Sequence, residues 1–208
     1  MRAPEQTLHA LTEPLLCAVA DGMGGHRAGE VASRYAARRI AADQEYLTSA
    51  GSAEIMLEAV NAELYQAMQG DEGLLGMGTT VTGLVLAPRL VWFNVGDSRL
   101  YKYSDRQLTR MSVDDVPPGP RTGMITQSLG GSDMPRPIRP HTGEEDLAAP
   151  ARFLLCSDGL TDMLDDGAIE ECLTLTDVDA VVQLFERAMQ AGGVDNVSIV
   201  LASVEEGA

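Results

Sequence analysis

A chain of 208 residues has the size of a single domain, at roughly 100–200 residues per domain, so residues 1–208 are read as one unit. With 45% hydrophobic and 22% charged residues it can bury a core, which excludes global disorder. A net charge of −16 repels phosphate backbones and anionic lipid, so neither nucleic-acid nor membrane partners are expected, and the acidic excess suggests carboxylates kept for cations.

The start, Met1-Arg2-Ala3-Pro4-Glu5-Gln6, shows no basic region leading into an apolar stretch, so no secretory signal is read there and a cytoplasmic monomer is expected. Leu15 to Ala20, the longest apolar run, has a strand's length, far below the about 20 residues of a membrane span. Gly29–Ala42 has apolar residues near a 3.6 period and predicts a helix; Ser52 to Met68 predicts a second, with Ser52 as its N-cap. The period then changes to two. Thr79–Ala87, Leu90–Val95 and Leu100–Tyr103 predict three strands in an antiparallel meander, joined by hairpins at Pro88-Arg89 and Gly96-Asp97-Ser98. Val113 to Thr142 holds most of the prolines and predicts loop, broken by the apolar Met124–Leu129 segment. Phe153–Cys156 predicts a strand, Leu160–Leu164 the start of a helix, Asp177–Gln190 an amphipathic helix and Val197–Val204 a closing strand. The order is mixed α+β. Cys17, Cys156 and Cys172 are odd in number and two lie in apolar runs, so buried thiols are expected rather than a disulfide; His9, His26 and His141 have no zinc spacing.

Four aspartates stand at the ends of apolar strands: Asp21, Asp97 and Asp158 follow one, and Asp195 precedes one. If antiparallel pairing gathers those ends, four carboxylates converge, an arrangement that needs cations or raised pKa values. Oxygen donors suit Mg²⁺ or Mn²⁺, and the glycines in Asp21-Gly22 and Asp158-Gly159 let a backbone carbonyl approach a metal. Each Asp-Gly pair alone also reads as an ordinary turn. Asp162, one helical turn beyond Asp158, is either a further carboxylate on that face or an exposed first-turn aspartate. His26, after Gly24-Gly25, is either a proton donor or substrate contact, or a plain surface histidine.

Six stretches then stand in order: Asp21-Gly22-Met23-Gly24-Gly25-His26, Gly29-Glu30-Val31-Ala32-Ser33, Gly78-Thr79-Thr80, Asn94-Val95-Gly96-Asp97-Ser98-Arg99, Leu155-Cys156-Ser157-Asp158-Gly159-Leu160-Thr161-Asp162 and Asp195-Asn196-Val197-Ser198. The series resembles the metal-dependent serine/threonine protein phosphatases of type 2C (the PPM family) in their bacterial form, over about Leu15 to Val204. The resemblance implies an α-β-β-α sandwich of two antiparallel sheets flanked by helices, and two Mn²⁺ or Mg²⁺ ions, with a third in some members. It implies Asp21 bridging both ions, the Gly22 carbonyl on one, Asp158 and Asp195 on the other, and Asp97 with Asp158 or Asp162 at the third. The activity implied is hydrolysis of phosphoserine and phosphothreonine in proteins by a metal-bridging hydroxide, with no phosphoenzyme and with a cognate Ser/Thr kinase as counterpart. The alternative is a non-catalytic or weakly active regulatory module that keeps the fold and binds phosphoproteins.

Three departures bear on this. The family's opening strand, its Arg and its Asn-Glu-Asp are missing or altered, leaving Arg2 for a phosphate contact and Glu5 for a metal, or a disordered start that carries both by chance. Met111-Ser112-Val113 stands where the family has Asp-His-Ser. The flap that follows is shortened to Asp114–Gly123.

Overall fold

The computed structural model describes residues 14–23, 26–87, 89–119, 123–147 and 149–205. In chain order the elements are β1 (Leu15–Val19), β2 (Gly22–Met23), α1 (His26–Ala42), α2 (Ala50–Gly70), β3 (Gly78–Thr79), β4 (Val81–Leu86), β5 (Arg89–Val95), β6 (Arg99–Ser104), β7 (Gln107–Arg110) and β8 (Leu129–Gly130). They continue with β9 (His141–Asp146), β10 (Ala151–Cys156), α3 (Asp158–Thr161), α4 (Asp166–Cys172), α5 (Asp177–Gln190) and β11 (Ile199–Val204). One antiparallel sheet has the order β1-β4-β5-β9, a second β11-β10-β6-β7, and a small ribbon joins β2-β3-β8.

Strand alternation decides the layering. In β4 and β5, Val81, Val85, Val91, Phe93 and Val95 pack with α1 and α2, while Leu84, Leu86 and Leu90 turn toward the second sheet. In β10, Leu154 and Cys156 pack with α3, α4 and α5, while Phe153 and Leu155 meet the first sheet. Both faces of these strands are buried, which is why they read as unbroken apolar runs. Each fully buried Leu or Phe contributes about 1.5–3 kcal/mol relative to exposure, so the three cores fix the α-β-β-α sandwich expected.

Several boundaries differ from the sequence reading. Helix α1 starts at His26, three residues early. Helix α2 is capped by Ser49 rather than Ser52: the Ser49 hydroxyl accepts from the Ser52 N–H (3.1 Å) and the Ser52 hydroxyl accepts from the Ser49 N–H (3.0 Å), a reciprocal pair that moves the start upstream. The hairpin at Ala87 joins β4 and β5 as expected. Gly96-Asp97-Ser98 is no hairpin. It carries the chain from β5 in one sheet to β6 in the other, because β5 pairs with β4 and β9 while β6 pairs with β7 and β10. Strands β7 and β9 and helix α4 went unread, and the helix expected at Leu160–Leu164 is the single turn α3.

Candidate metal centre

Asp21 lies two residues beyond β1, and its backbone is held at both its N–H and its carbonyl. Its N–H donates to Thr80 Oγ1 (3.2 Å), and its carbonyl accepts from the Thr80 N–H (2.9 Å) and the Thr79 hydroxyl (2.8 Å). Thr80 in turn shares a hydrogen bond with the Ser98 hydroxyl at 2.7 Å, and Asn94 Nδ2 donates to the Ser98 carbonyl at 2.8 Å. The end of β1 and the inter-sheet turn that bears the buried Asp97 are thus built as one piece. Beside Asp21, Gly22 approaches α1 so closely that a Cβ would lie 2.2 Å from the Gly29 carbonyl oxygen.

The second half forms where β10 runs into α3. Ser157 ties Asp158 to the segment before β11: its N–H donates to the Ser198 carbonyl, its hydroxyl donates to the Asn196 carbonyl and accepts from the Ser198 N–H, each at 3.1 Å. Gly159 permits this approach, since a Cβ there would sit 2.2 Å from the Asn196 carbonyl oxygen. Asp158 and Asp195 are thereby brought to one place, although 37 residues apart in sequence.

The placement has electrostatic consequences. The Asp21 carboxyl is pushed up to about 7, first by burial, then by the charge of Asp158 and a hydrogen bond with it, then by the charges of Asp195 and Asp97. Asp158 is also raised, by burial and the charges of Asp162 and Asp195, while its hydrogen bonds to Asp21 and the Gly159 N–H pull the other way. Two half-buried carboxylates in hydrogen-bond contact share a proton when no cation is present. Asp158 Oδ1 is buried with no hydrogen-bond partner among the described residues. An acceptor of this kind is costly to desolvate and is satisfied by a cation. Among the described residues no three Asp, Glu, His or Cys side chains stand close enough together to hold a metal ion by themselves. The fit to a hard divalent ion rests instead on donor chemistry: the Asp21–Asp158 pair and the unpartnered Asp158 Oδ1 offer oxygens only, which suit Mg²⁺ or Mn²⁺ and not a zinc cage.

Of the residues singled out from sequence, Asp158, Asp195 and Asp97 act electrostatically on Asp21, and Asp162 and Asp195 on Asp158. Gly22 adjoins them. Arg2 and Glu5 lie outside the described residues, as does the side chain of His26, whose backbone opens α1. Met111 and Ser112 hold β6 in place: the Met111 N–H donates to the Leu100 carbonyl (2.9 Å), and the Ser112 hydroxyl accepts from the Leu100 N–H (3.0 Å). Sequence reasoning assigned no role to Thr80, Ser98, Ser157 or Asp115. The first three stand beside the motif aspartates or in the Gly-Thr-Thr stretch, where a hydroxyl next to a buried strand end is a signal for backbone clamping.

A family model described as Protein phosphatase 2C matches residues 7–203. The chain belongs to that family. It is 34% identical over 210 residues to the serine/threonine protein phosphatase PstP of Mycobacterium tuberculosis, covering 91% of this chain and 40% of the relative's length. Against the serine/threonine phosphatase stp of Listeria monocytogenes it is 33% identical over 211 residues, covering 88% of this chain and 82% of that protein. Among solved structures, Mycobacterium tuberculosis PstP superposes with a TM-score of 0.83 at 32% identity, over 99% of this chain and 97% of that one. The PstP catalytic domain in complex with two manganese ions gives a TM-score of 0.81 at 32% identity, over 99% and 96% of the two chains. The protein phosphatase 2C sandwich and the carboxylate edge described above therefore stand in a family context in which a related catalytic domain holds Mn²⁺.

Proposed function

We propose that this protein phosphatase 2C chain is one catalytic domain that hydrolyses phosphoserine and phosphothreonine in proteins with Mn²⁺ or Mg²⁺. The observation that carries the reading is the half-buried Asp21–Asp158 pair, with an orphaned Asp158 Oδ1 and with Asp97, Asp162 and Asp195 around it. Asp21 would bridge two ions, the Gly22 carbonyl would serve one, and Asp158 and Asp195 the other; Asp97, with Asp158 or Asp162, would hold a third. When bound, divalent ions supply Lewis acidity that activates water and neutralises phosphate charge.

The chain's own residues do the rest. Thr79 and Thr80 hold the Asp21 backbone, Thr80 meets the Ser98 hydroxyl beside Asp97, and Ser157 and Gly159 hold the start of α3 against Asn196 and Ser198 beside Asp195, so the strand ends that bear the carboxylates are fixed before cations arrive. Their half-burial strengthens their field on nearby charge. No thiol is needed as nucleophile: burial pushes the Cys156 thiol up to about 12 and raises Cys17 and Cys172, which keeps all three protonated. Among the described residues no helix is long and apolar enough to cross a membrane, and we place the domain in the cytoplasm as a monomer opposite a Ser/Thr kinase.

The test is hydrolysis of p-nitrophenyl phosphate and of a phosphothreonine peptide. Turnover should require added Mn²⁺ or Mg²⁺ and vanish in chelator and in Asp158→Ala and Asp195→Ala. Metal-independent turnover would refute the reading, and metal binding without hydrolysis of either substrate would favour a regulatory module.

A further inference from the structure

Asp115 stands in the Pro-rich stretch after β7, has no role legible in sequence, and among the described residues outside the metal centre is a carboxylate with contacts to three separate segments. Its Oδ2 accepts from the Gly96 N–H (2.8 Å) and from Gln127 Nε2 (2.9 Å), and its Oδ1 lies 2.9 Å from His141 Nε2 on β9. Its own N–H donates to the Gly96 carbonyl (3.0 Å), and its carbonyl accepts from the Thr126 N–H (2.7 Å). Gln127 is fastened in turn to the segment just before β9, donating to the Arg139 carbonyl (3.0 Å) and accepting from the Arg139 N–H (2.5 Å).

Gly96 immediately precedes Asp97. It has φ +99°, and a Cβ there would meet Thr80 at 2.7 Å, so the turn is wedged between Thr80 on one side and Asp115 on the other. Both backbone polar groups of Gly96 are spent on Asp115. The turn has no sheet ladder of its own, because it passes between two sheets. A buried turn without a ladder needs its N–H and carbonyl satisfied by something else. Here that is one residue, and the same residue joins β9.

We propose that Asp115 is a positioning residue for Asp97: it sets the depth of the inter-sheet turn and through it the affinity of the outer cation position. Asp115 itself binds no metal. The inference rests on the metal-dependent reading above only for the role of Asp97. Asparagine keeps most of the arrangement, since its carbonyl oxygen accepts from Gly96 and Gln127 while its amide N–H donates to a His141 Nε2 in the other tautomer. Alanine leaves the buried Gly96 N–H and the Gln127 amide without that acceptor.

The experiment is calorimetric titration of the full chain with Mn²⁺, which needs no turnover, for wild type, D97N, D115A, D115N and D97N/D115A. We expect a weak binding component that D97N abolishes. D115A should weaken it about tenfold while leaving the tighter component within twofold, and D115N should restore it to within threefold of wild type. In the D97N background D115A should change nothing further. Should D115A fail to fold, as read by a melt in chelator, Q127A carries the comparison, with about a threefold weakening that D97N also erases. The proposal is overturned if no component depends on Asp97, if D115A leaves it unchanged, if D115A weakens the tighter component equally, or if D115N is as poor as D115A. Mn²⁺ binding that follows the expected pattern without phosphopeptide hydrolysis would remove the proposed activity and leave the role of Asp115 standing.

Discussion

Replacing Asp158 by Asn should stabilise the metal-free protein and destabilise the metal-loaded one, relative to wild type. The reason lies in the Asp21 carboxyl, raised from 3.8 to about 7 by burial, by Asp158 and by the other aspartates. At 1.36 kcal/mol per unit this rise bounds the strain above pH 7 at about 4 kcal/mol, and the partial solvent access of Asp21 and Asp158 reduces it to roughly 2 kcal/mol. Burial is the largest cause and stays in the variant, so the charge of Asp158 accounts for less than half, at most on the order of 1 kcal/mol. For a domain of this size that is a rise in Tm of roughly 2–4 °C. The sign with pH follows from linkage. A carboxyl whose folded pKa lies above its unfolded one keeps its proton in the native state, so the native state is favoured below about 4 and loses that advantage as pH rises to about 7. Wild type in chelator should therefore lose stability between pH 4 and 7, and the advantage of Asp158→Asn should be largest at pH 8 and nearly absent at pH 5. With Mn²⁺ in excess the order should invert. Thermal melts in chelator and in Mn²⁺ across pH 5–8 measure all of this. A metal-free Asp158→Asn less stable than wild type at pH 8, or a difference independent of pH, would refute the electrostatic account.

Removing metal should lower the Tm of wild type by several degrees, since a ligand at a hundredfold excess over Kd stabilises the native state by about 2.7 kcal/mol; scanning calorimetry with and without chelator reads it. Gly159→Ala puts a Cβ 2.2 Å from the Asn196 carbonyl oxygen, so it should cost about 1–3 kcal/mol in urea melts and raise the Mn²⁺ concentration needed for binding, because the Asp195 segment must move. Leu154→Ala empties a fully buried position between β10 and the helices of the second core; a loss of about 2–5 kcal/mol with Mn²⁺ affinity nearly unchanged separates core from site. Ser157→Ala strips the clamp on Asn196 and Ser198 and should cost about 1–3 kcal/mol, with weakened Mn²⁺ binding as its second readout.

Much of this molecule is legible locally. A strand buried on both faces writes itself as an apolar run, so β4, β5 and β10 are visible in outline, as are the half-buried apolar runs of β1 and β11, and the aspartates at the strand ends mark where chemistry gathers. Helix α5 was visible for a similar reason: its apolar stripe and first-turn acids are local facts. Strand β9 was not, because His-Thr-Gly-Glu-Glu-Asp is an edge strand with no fully buried residue, and its identity comes from pairing with β5. The reading of Gly96-Asp97-Ser98 as a hairpin failed because three residues connect two strands equally well within one sheet or between two, and only the partners of β5 and β6 decide. Asp115 shows the same limit at the level of one side chain. Its contacts lie 19 residues back at Gly96 and 26 ahead at His141, so its place in the site is a property of the closed sandwich and of no stretch of sequence. The carboxylates were written in the chain; the pKa of Asp21 and the depth of Asp97 exist only once distant strand ends meet.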